Sequence, residues 1–186
     1  MARIPLVEKP GVLGRLMYWY ARRRFGAVPE PFMASMHHAR LTRASAMHEM
    51  LVEKASSALP AAVRELAVYR AATQVGCSWC VDFGTMLQLT HGLSVDRLIR
   101  IDQYETSDEY SHEERLALRY ADAMTAQPMT VTDEQVAELR TVFSDAQLVE
   151  LTYHIGLENQ RARVNKALGL TAQGYTSGDA CAIPPR

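Results

Sequence analysis

At 186 residues the chain is long enough for one domain with a substantial buried core. Hydrophobic residues make up 48% and charged residues 22%, proportions that exclude an intrinsically disordered protein. Lys and Arg total 20 against 21 Asp and Glu, so no net basic field points to nucleic acid, and no uncharged apolar run approaches the roughly 18 residues a membrane helix needs.

The first predicted helix spans Gly11 to Phe25, with Val12, Leu13, Leu16, Met17 and Tyr20 spaced for one apolar face. Arg22, Arg23 and Arg24 read as its solvated end. Met1 to Phe25 makes a poor secretory signal, because Arg15 interrupts the apolar run, the arginines lie on the wrong side and no small-residue cleavage site follows. The expected compartment is therefore the cytoplasm, where structural disulfides are rare. Pro29-Glu30-Pro31 interrupts the helix, and a Met- and His-rich helical stretch is expected from Phe32 to about Ser57. Its methionines are packing groups in this reading, and His37, His38 and His48 have surface or packing roles. Pro60 suits the first turn of the next helix, which carries Val63, Leu66, Ala67 and Arg70 and stops at Gly76.

Cys77-Ser78-Trp79-Cys80 opens the helix that follows, expected to run to about His91 with Gly92 as its stop. Cysteines at i, i+3 share a helical face and can close a disulfide. In a first turn, unpaired N–H groups and the positive end of the helix dipole favour a thiolate, the form that attacks peroxides and disulfides. The rival readings are two buried small hydrophobes, or a zinc site. Zinc usually takes four ligands, and no second C-x-x-C or H-x₃₋₅-H follows within finger spacing. No metal or other cofactor is therefore expected. Trp79 reads as a packing residue that shields the pair. Asp82 points away from Cys80 on an ideal helix and reads as a surface or salt-bridge residue. Glu65, twelve residues before Cys77, is either a helix-surface carboxylate or a base for a cysteine packed beside it.

A short helix is expected from Ser94 to about Tyr104. Ser111 with Glu114, Thr132 with Gln135 and Ser144 with Gln147 then look like capping boxes, opening helices to about Thr125, Phe143 and Leu168. His112 has a surface or packing role in this reading. The last helix carries Tyr153, His154, Glu158, Asn159, Gln160, Arg161, Arg163 and Asn165, either as a hydrogen-bond network between helices or subunits, or with His154 reaching the thiols as an acid/base. No long alternating run marks a strand pair, so the fold class is all-α. One helical domain is expected over 1–169 and a loop or arm over 170–186, where Cys181 reads as a spare thiol.

The run from about Pro60 to Asp96, with Glu65, Cys77, Cys80 and the Gly92-Leu93-Ser94 that follows, resembles the alkylhydroperoxidase D-like, carboxymuconolactone decarboxylase superfamily, as does Ala167-Leu168-Gly169-Leu170. The resemblance covers about a fifth of the chain and is with the redox branch, whose fourth position, a His four residues after the second Cys, is Gly84 here. It implies a helical bundle that assembles as a dimer, trimer or hexamer. It also implies a thiol peroxidase cycle: Cys80 attacks a small hydroperoxide, Cys77 resolves the sulfenic acid to a disulfide, and a dithiol donor of lipoyl or thioredoxin type reduces it. Glu65 is the proton acceptor that the resemblance implies. Gly84 can neither accept nor donate a side-chain proton, and it leaves space one turn beyond Cys80 where a side chain from elsewhere could insert; His154 is the candidate, the alternative being that it only hydrogen-bonds across a subunit interface. The alternatives are a lactone or decarboxylation enzyme with vestigial cysteines, and a non-catalytic member of the fold. The decarboxylase branch lacks the cysteine pair, which argues against the first.

Overall fold

The computed structural model describes residues 2–90 and 94–176. His91, Gly92 as a helix stop and Cys181 as a spare thiol lie outside the described residues. The described residues fold into helices and turns, with no strand among them. The helices are α1 (Val12–Phe25), α2 (Glu30–Ser35), α3 (Ala39–Ala55), α4 (Ala61–Val75), α5 (Ser78–Thr90), α6 (Val95–Ile99), α7 (His112–Thr125), α8 (Asp133–Leu139) and α9 (Asp145–Ala167).

The central helix is α4, which packs mainly against α7, α9 and α5. One of its faces, with Leu66, Tyr69 and Ala72, joins an apolar cluster with Cys77, Trp79, Cys80, Val81 and Ala162. Another, with Val63, Ala67 and Ala71, joins a second cluster with Leu116, Tyr120, Leu151 and Ile155. Alanines at these buried positions let the neighbouring helices approach closely. Arg70 extends from α4 to Asp122 of α7, its Nε 2.6 Å from Oδ1, and also pairs with Asp102, so the one buried cation of this helix is neutralised from two sides.

Local signals act as the sequence leads one to expect at most boundaries. Gly76 ends α4 in the left-handed region, at φ 73°, where a side chain would be strained. Ser111 and Ser144 form reciprocal capping boxes with Glu114 and Gln147, whereas Thr132 only accepts from the Gln135 amide. Two expected helices are broken. The stretch after Pro29 forms α2, a 3₁₀ turn over Met36–His38 and then α3, which His38 caps through Nδ1. The stretch from Ser94 forms α6 and a 3₁₀ turn over Ile101–Gln103. The helix expected to reach Phe143 stops at Leu139.

Helix α3 is unlike the others. Of its 17 residues only Thr42 is buried. Polar pairs hold it to α9: His48 Nε2 with Tyr153 Oη at 2.6 Å, and Glu49 with Arg161. Leu41, Met47, Met50 and Leu51 stay exposed, as do Val12, Leu16 and Trp19 of α1.

Candidate functional site

The left-handed turn at Gly76 ends one helix and starts the next without a linker. The Cys77 amide donates to Ala72 O at the end of α4, while Cys77 O accepts from Val81 N at the start of α5. Lys166 of α9 steadies the same corner by donating to Val75 O at 2.7 Å. Cys77 and Cys80 are joined as a disulfide across this first turn, their Cα atoms 5.3 Å apart, within the usual range. Cys77 is fully buried, and Cys80 is 8% exposed.

Each sulfur has a donor. The Cys80 amide donates to Cys77 Sγ at 3.3 Å, and buried Asn165 of α9 donates through Nδ2 to Cys80 Sγ at 3.4 Å. Such donors favour a sulfur that carries negative charge. Thiol–disulfide exchange depends on which sulfur is reachable and how stable the leaving thiolate is. Cys80 is the more accessible of the two, so an incoming thiol reaches Cys80 and Cys77 is the leaving group.

Asp82 corrects the sequence reading. It is not at the surface: it is fully buried. Its Oδ2 accepts from the amides of Gln173, Gly174 and Tyr175 at 2.8, 2.7 and 3.1 Å, and its Oδ1 accepts from the amide and hydroxyl of Thr176, both at 3.0 Å. These donors offset the desolvation of its charge. The segment over 170–176 is thereby strapped across α5. Gln173 links Trp79 Nε1, the Glu30 amide and Val28 O, and the Trp79 ring stacks on Phe83 with centroids 4.8 Å apart. Trp79 is thus a buried packing residue beside the pair.

Glu65 is partly buried. Arg64 Nε lies 3.3 Å from its Oε1, and Gln88 Nε2 donates to its Oε2 at 3.5 Å. Gln88 lies two turns beyond Cys80 on α5, roughly 12 Å along the helix axis. One turn on from Glu65, buried Tyr69 places its ring where a side chain at Gly84 would go: a Cβ there would meet Tyr69 Cδ2 at 3.2 Å. The Tyr69 hydroxyl pairs with Thr85 Oγ1 at 3.2 Å.

The structure does not bring His154 to this position. Its Nε2 is 2.7 Å from Ser56 Oγ at the end of α3, three turns before Asn165 on α9, or roughly 16 Å along the axis. Burial, with help from Arg64 and Arg161, lowers its pKa. The expectation that His154 inserts beside Gly84 is corrected by Tyr69, which takes that space from the adjacent helix. Tyr69 is the residue that the sequence reading missed, and the contacts made by Asn165 and Asp82 lay outside it. Asp82 within the apolar run Val81-Asp82-Phe83 was the one visible clue, since a carboxylate flanked by core residues needs buried donors.

Glu158 on α9 is 5% exposed. Its Oε2 lies 3.5 Å from Arg161 Nη1, and its Oε1 has no hydrogen-bond partner. Burial raises its pKa to about 7, opposed by Arg161 and reinforced by Glu49 and Glu65. Among the described residues no group of three or more His, Cys, Asp or Glu could hold a metal, and no helix is long and apolar enough to cross a membrane.

No family model matches the chain. The uncharacterised protein YnjA of Escherichia coli is 33% identical over 186 residues, covering 100% of this chain and 96% of that protein. Among solved structures, a Ralstonia eutropha protein described as an alkylhydroperoxidase AhpD core and peroxidase-related superposes with a TM-score of 0.81, at 17% identity and over 94% of both chains. ATU0492 of Agrobacterium tumefaciens, of unknown function and a candidate AhpD antioxidant-defence protein, gives 0.69 at 25% identity, over 75% of this chain and 94% of that one. The debrominase Bmp8 gives 0.77 at 18% identity, over 88% of both.

Proposed function

We propose that this chain, which has the all-α fold of those AhpD-like structures, is a member of the alkylhydroperoxidase D-like, carboxymuconolactone decarboxylase superfamily and a thiol–disulfide oxidoreductase that reduces small hydroperoxides through Cys77 and Cys80. The observation that carries this reading is the disulfide in the first turn of α5, with Cys80 as its accessible sulfur and a hydrogen-bond donor on each sulfur. In the forward step the Cys80 thiolate attacks the outer peroxide oxygen. An S–O bond forms, the O–O bond breaks, and the departing alkoxide takes a proton to leave as alcohol. The Cys77 thiol then attacks the Cys80 sulfenic acid, forming the S–S bond and releasing water. A dithiol donor attacks Cys80, Cys77 leaves as thiolate, and the donor's second thiol closes its own disulfide to free Cys80. The peroxide is reduced and the donor oxidised, by two electrons each.

In our reading Glu65 passes protons on rather than keeping them, through Gln88, to which its carboxylate is bonded. The protein is expected to work in the cytoplasm and as a homo-oligomer. One observation favours a second reading. With Gly84 in place of a histidine and Tyr69 filling its space, hydroperoxide turnover loses a general acid worth about 10²–10⁴-fold, leaving disulfide exchange as the main activity.

Mass spectrometry tests the first reading. After reaction with one equivalent of an organic hydroperoxide, the reduced protein is expected to lose two hydrogens from the peptide that spans Cys77 and Cys80, and Cys80→Ser to be inert. Exchange with an oxidised dithiol but not with hydroperoxide supports the second reading. Inert thiols in both assays leave a lactone enzyme or a non-catalytic member of the fold.

A further inference from the structure

The cycle above leaves one buried acid of this region, Glu158, unused. Glu158 lies in a cluster drawn from four helices: Glu49 of α3, Glu65 of α4 and Gln88 of α5 together with Glu158 and Arg161 of α9. Two oxygens in it are buried without a partner, Glu158 Oε1 and Gln88 Oε1. Unpaired buried oxygens are costly, and a site that keeps two of them near an ionisable group is a candidate for function.

The cluster is linked to the thiols by two helical faces. From Cys80, α5 runs through Gly84 to Gln88. From Asn165, which touches Cys80 Sγ, α9 runs back through fully buried Ala162 to Glu158. The interval from Asn165 to Glu158 is two turns, roughly 10 Å. Ala162, Gly84 and the Tyr69 ring occupy the space between, so water screens little of the field there. Two charges about 10 Å apart at an effective dielectric constant of about 20 shift one another's titration by about one pH unit. The charged groups facing Glu158 are Arg161 on its own helix, Glu49 and Glu65; α5 faces the cluster with the uncharged Gln88. Arg161 is also paired with Glu49, which leaves Glu158 only part of its charge.

We propose that Glu158 is the proton store of the thiol pair, taking up a proton when the Cys77–Cys80 disulfide is reduced and returning it when the pair is reoxidised. The inference rests on the thiol cycle proposed above. Opening the disulfide with a dithiol breaks the S–S bond and transfers two electrons, and the donor gives up two protons as its own disulfide forms. One proton goes to the Cys77 sulfur. The other is left over as Cys80 stays a thiolate, and ionised Glu158 takes it. When a hydroperoxide is attacked and the thiolate charge is lost, Glu158 gives up its proton and returns to its carboxylate, which balances the proton that the departing alkoxide takes up. A titration point near neutrality suits both transfers, because neither form of the acid is strongly favoured.

Infrared difference spectroscopy tests this on the full chain, reduced with dithiothreitol and compared with the oxidised form. The reduced-minus-oxidised spectrum is expected to gain a protonated-carboxyl band between about pH 6 and 8. Glu158→Gln is expected to abolish it and Glu65→Gln to keep it. Should Glu158→Gln fail to fold, Glu158→Asp retains an acid and is expected to shift the band. No band in the wild type, a band that persists in Glu158→Gln, or one that does not move in Glu158→Asp overturns the proposal. No hydroperoxide enters this measurement, so a protein that shows the band but leaves hydroperoxides untouched contradicts only the peroxidase reading. A disulfide that dithiothreitol cannot open contradicts both.

Discussion

Asn165 donates to the accessible sulfur from a helix eighty-five positions further along the chain. A hydrogen bond to a charged group contributes about 1.5–3 kcal/mol. Asn165→Leu keeps the volume and removes the donor, so Cys80 of the reduced protein is expected to be alkylated about tenfold more slowly near pH 7, with the pH dependence displaced upward. An unchanged alkylation profile would remove Asn165 from the site. Glu158 has a consequence for stability at the same scale. Its native pKa of about 7 lies above its ordinary 4.5 because burial disfavours the charged form. Between those values the native chain holds a proton that the unfolded chain has released, so stability falls as pH rises through the window. Denaturant titrations from pH 4.5 to 7 are expected to show this fall and Glu158→Gln to lack it, the difference approaching about 3 kcal/mol. Parallel curves for the two proteins would contradict the burial argument. Residues differ in how far the sequence reveals them. The Cys77–Cys80 pair was legible because spacing along one helix is a local property. Tyr69 beside Gly84 was not, because nothing in a one-dimensional pattern says which side chain of α4 enters a gap on α5.

The elements were legible wherever a local device sets the boundary. Gly76 at positive φ and the boxes at Ser111 and Ser144 all stand where the sequence suggests. The breaks at Met36–His38 and after Ile99 were not visible, since no proline or glycine marks them and tertiary packing decides. The strap is the largest element-scale departure from the sequence reading. Loop composition suggested a passive arm, yet residues 173–176 converge on one carboxylate. Asp82→Ala leaves those amides without their acceptor. The predicted result is a loss of about 3 kcal/mol or more and rapid proteolysis of the chain after Gly169, while α4 and α7 keep their hydrogen-exchange protection. Wild-type resistance in the variant would show that Trp79, Phe83 and Tyr175 hold the segment without Asp82.

At the scale of the whole molecule, α3 is the part that one chain does not explain. A 17-residue helix with one buried residue gains little from tertiary packing, which is what normally stabilises a helix in water. Leu41, Met47, Met50 and Leu51, and Val12, Leu16 and Trp19 of α1, are large apolar side chains left exposed, of the kind that association covers. Sedimentation equilibrium is expected to find a dimer or larger oligomer, and Met50→Lys with Leu51→Glu to shift it to monomer. A wild-type monomer at every concentration would contradict this.

The central claim is that the pair at the start of α5 is a working redox couple. The most direct measurement is the thiol count of fully reduced protein during reaction with a limiting organic hydroperoxide. The account predicts two thiols lost per peroxide consumed, both from Cys77 and Cys80, at a rate above that of free cysteine. Thiols that survive, or that disappear no faster than free cysteine, would contradict it.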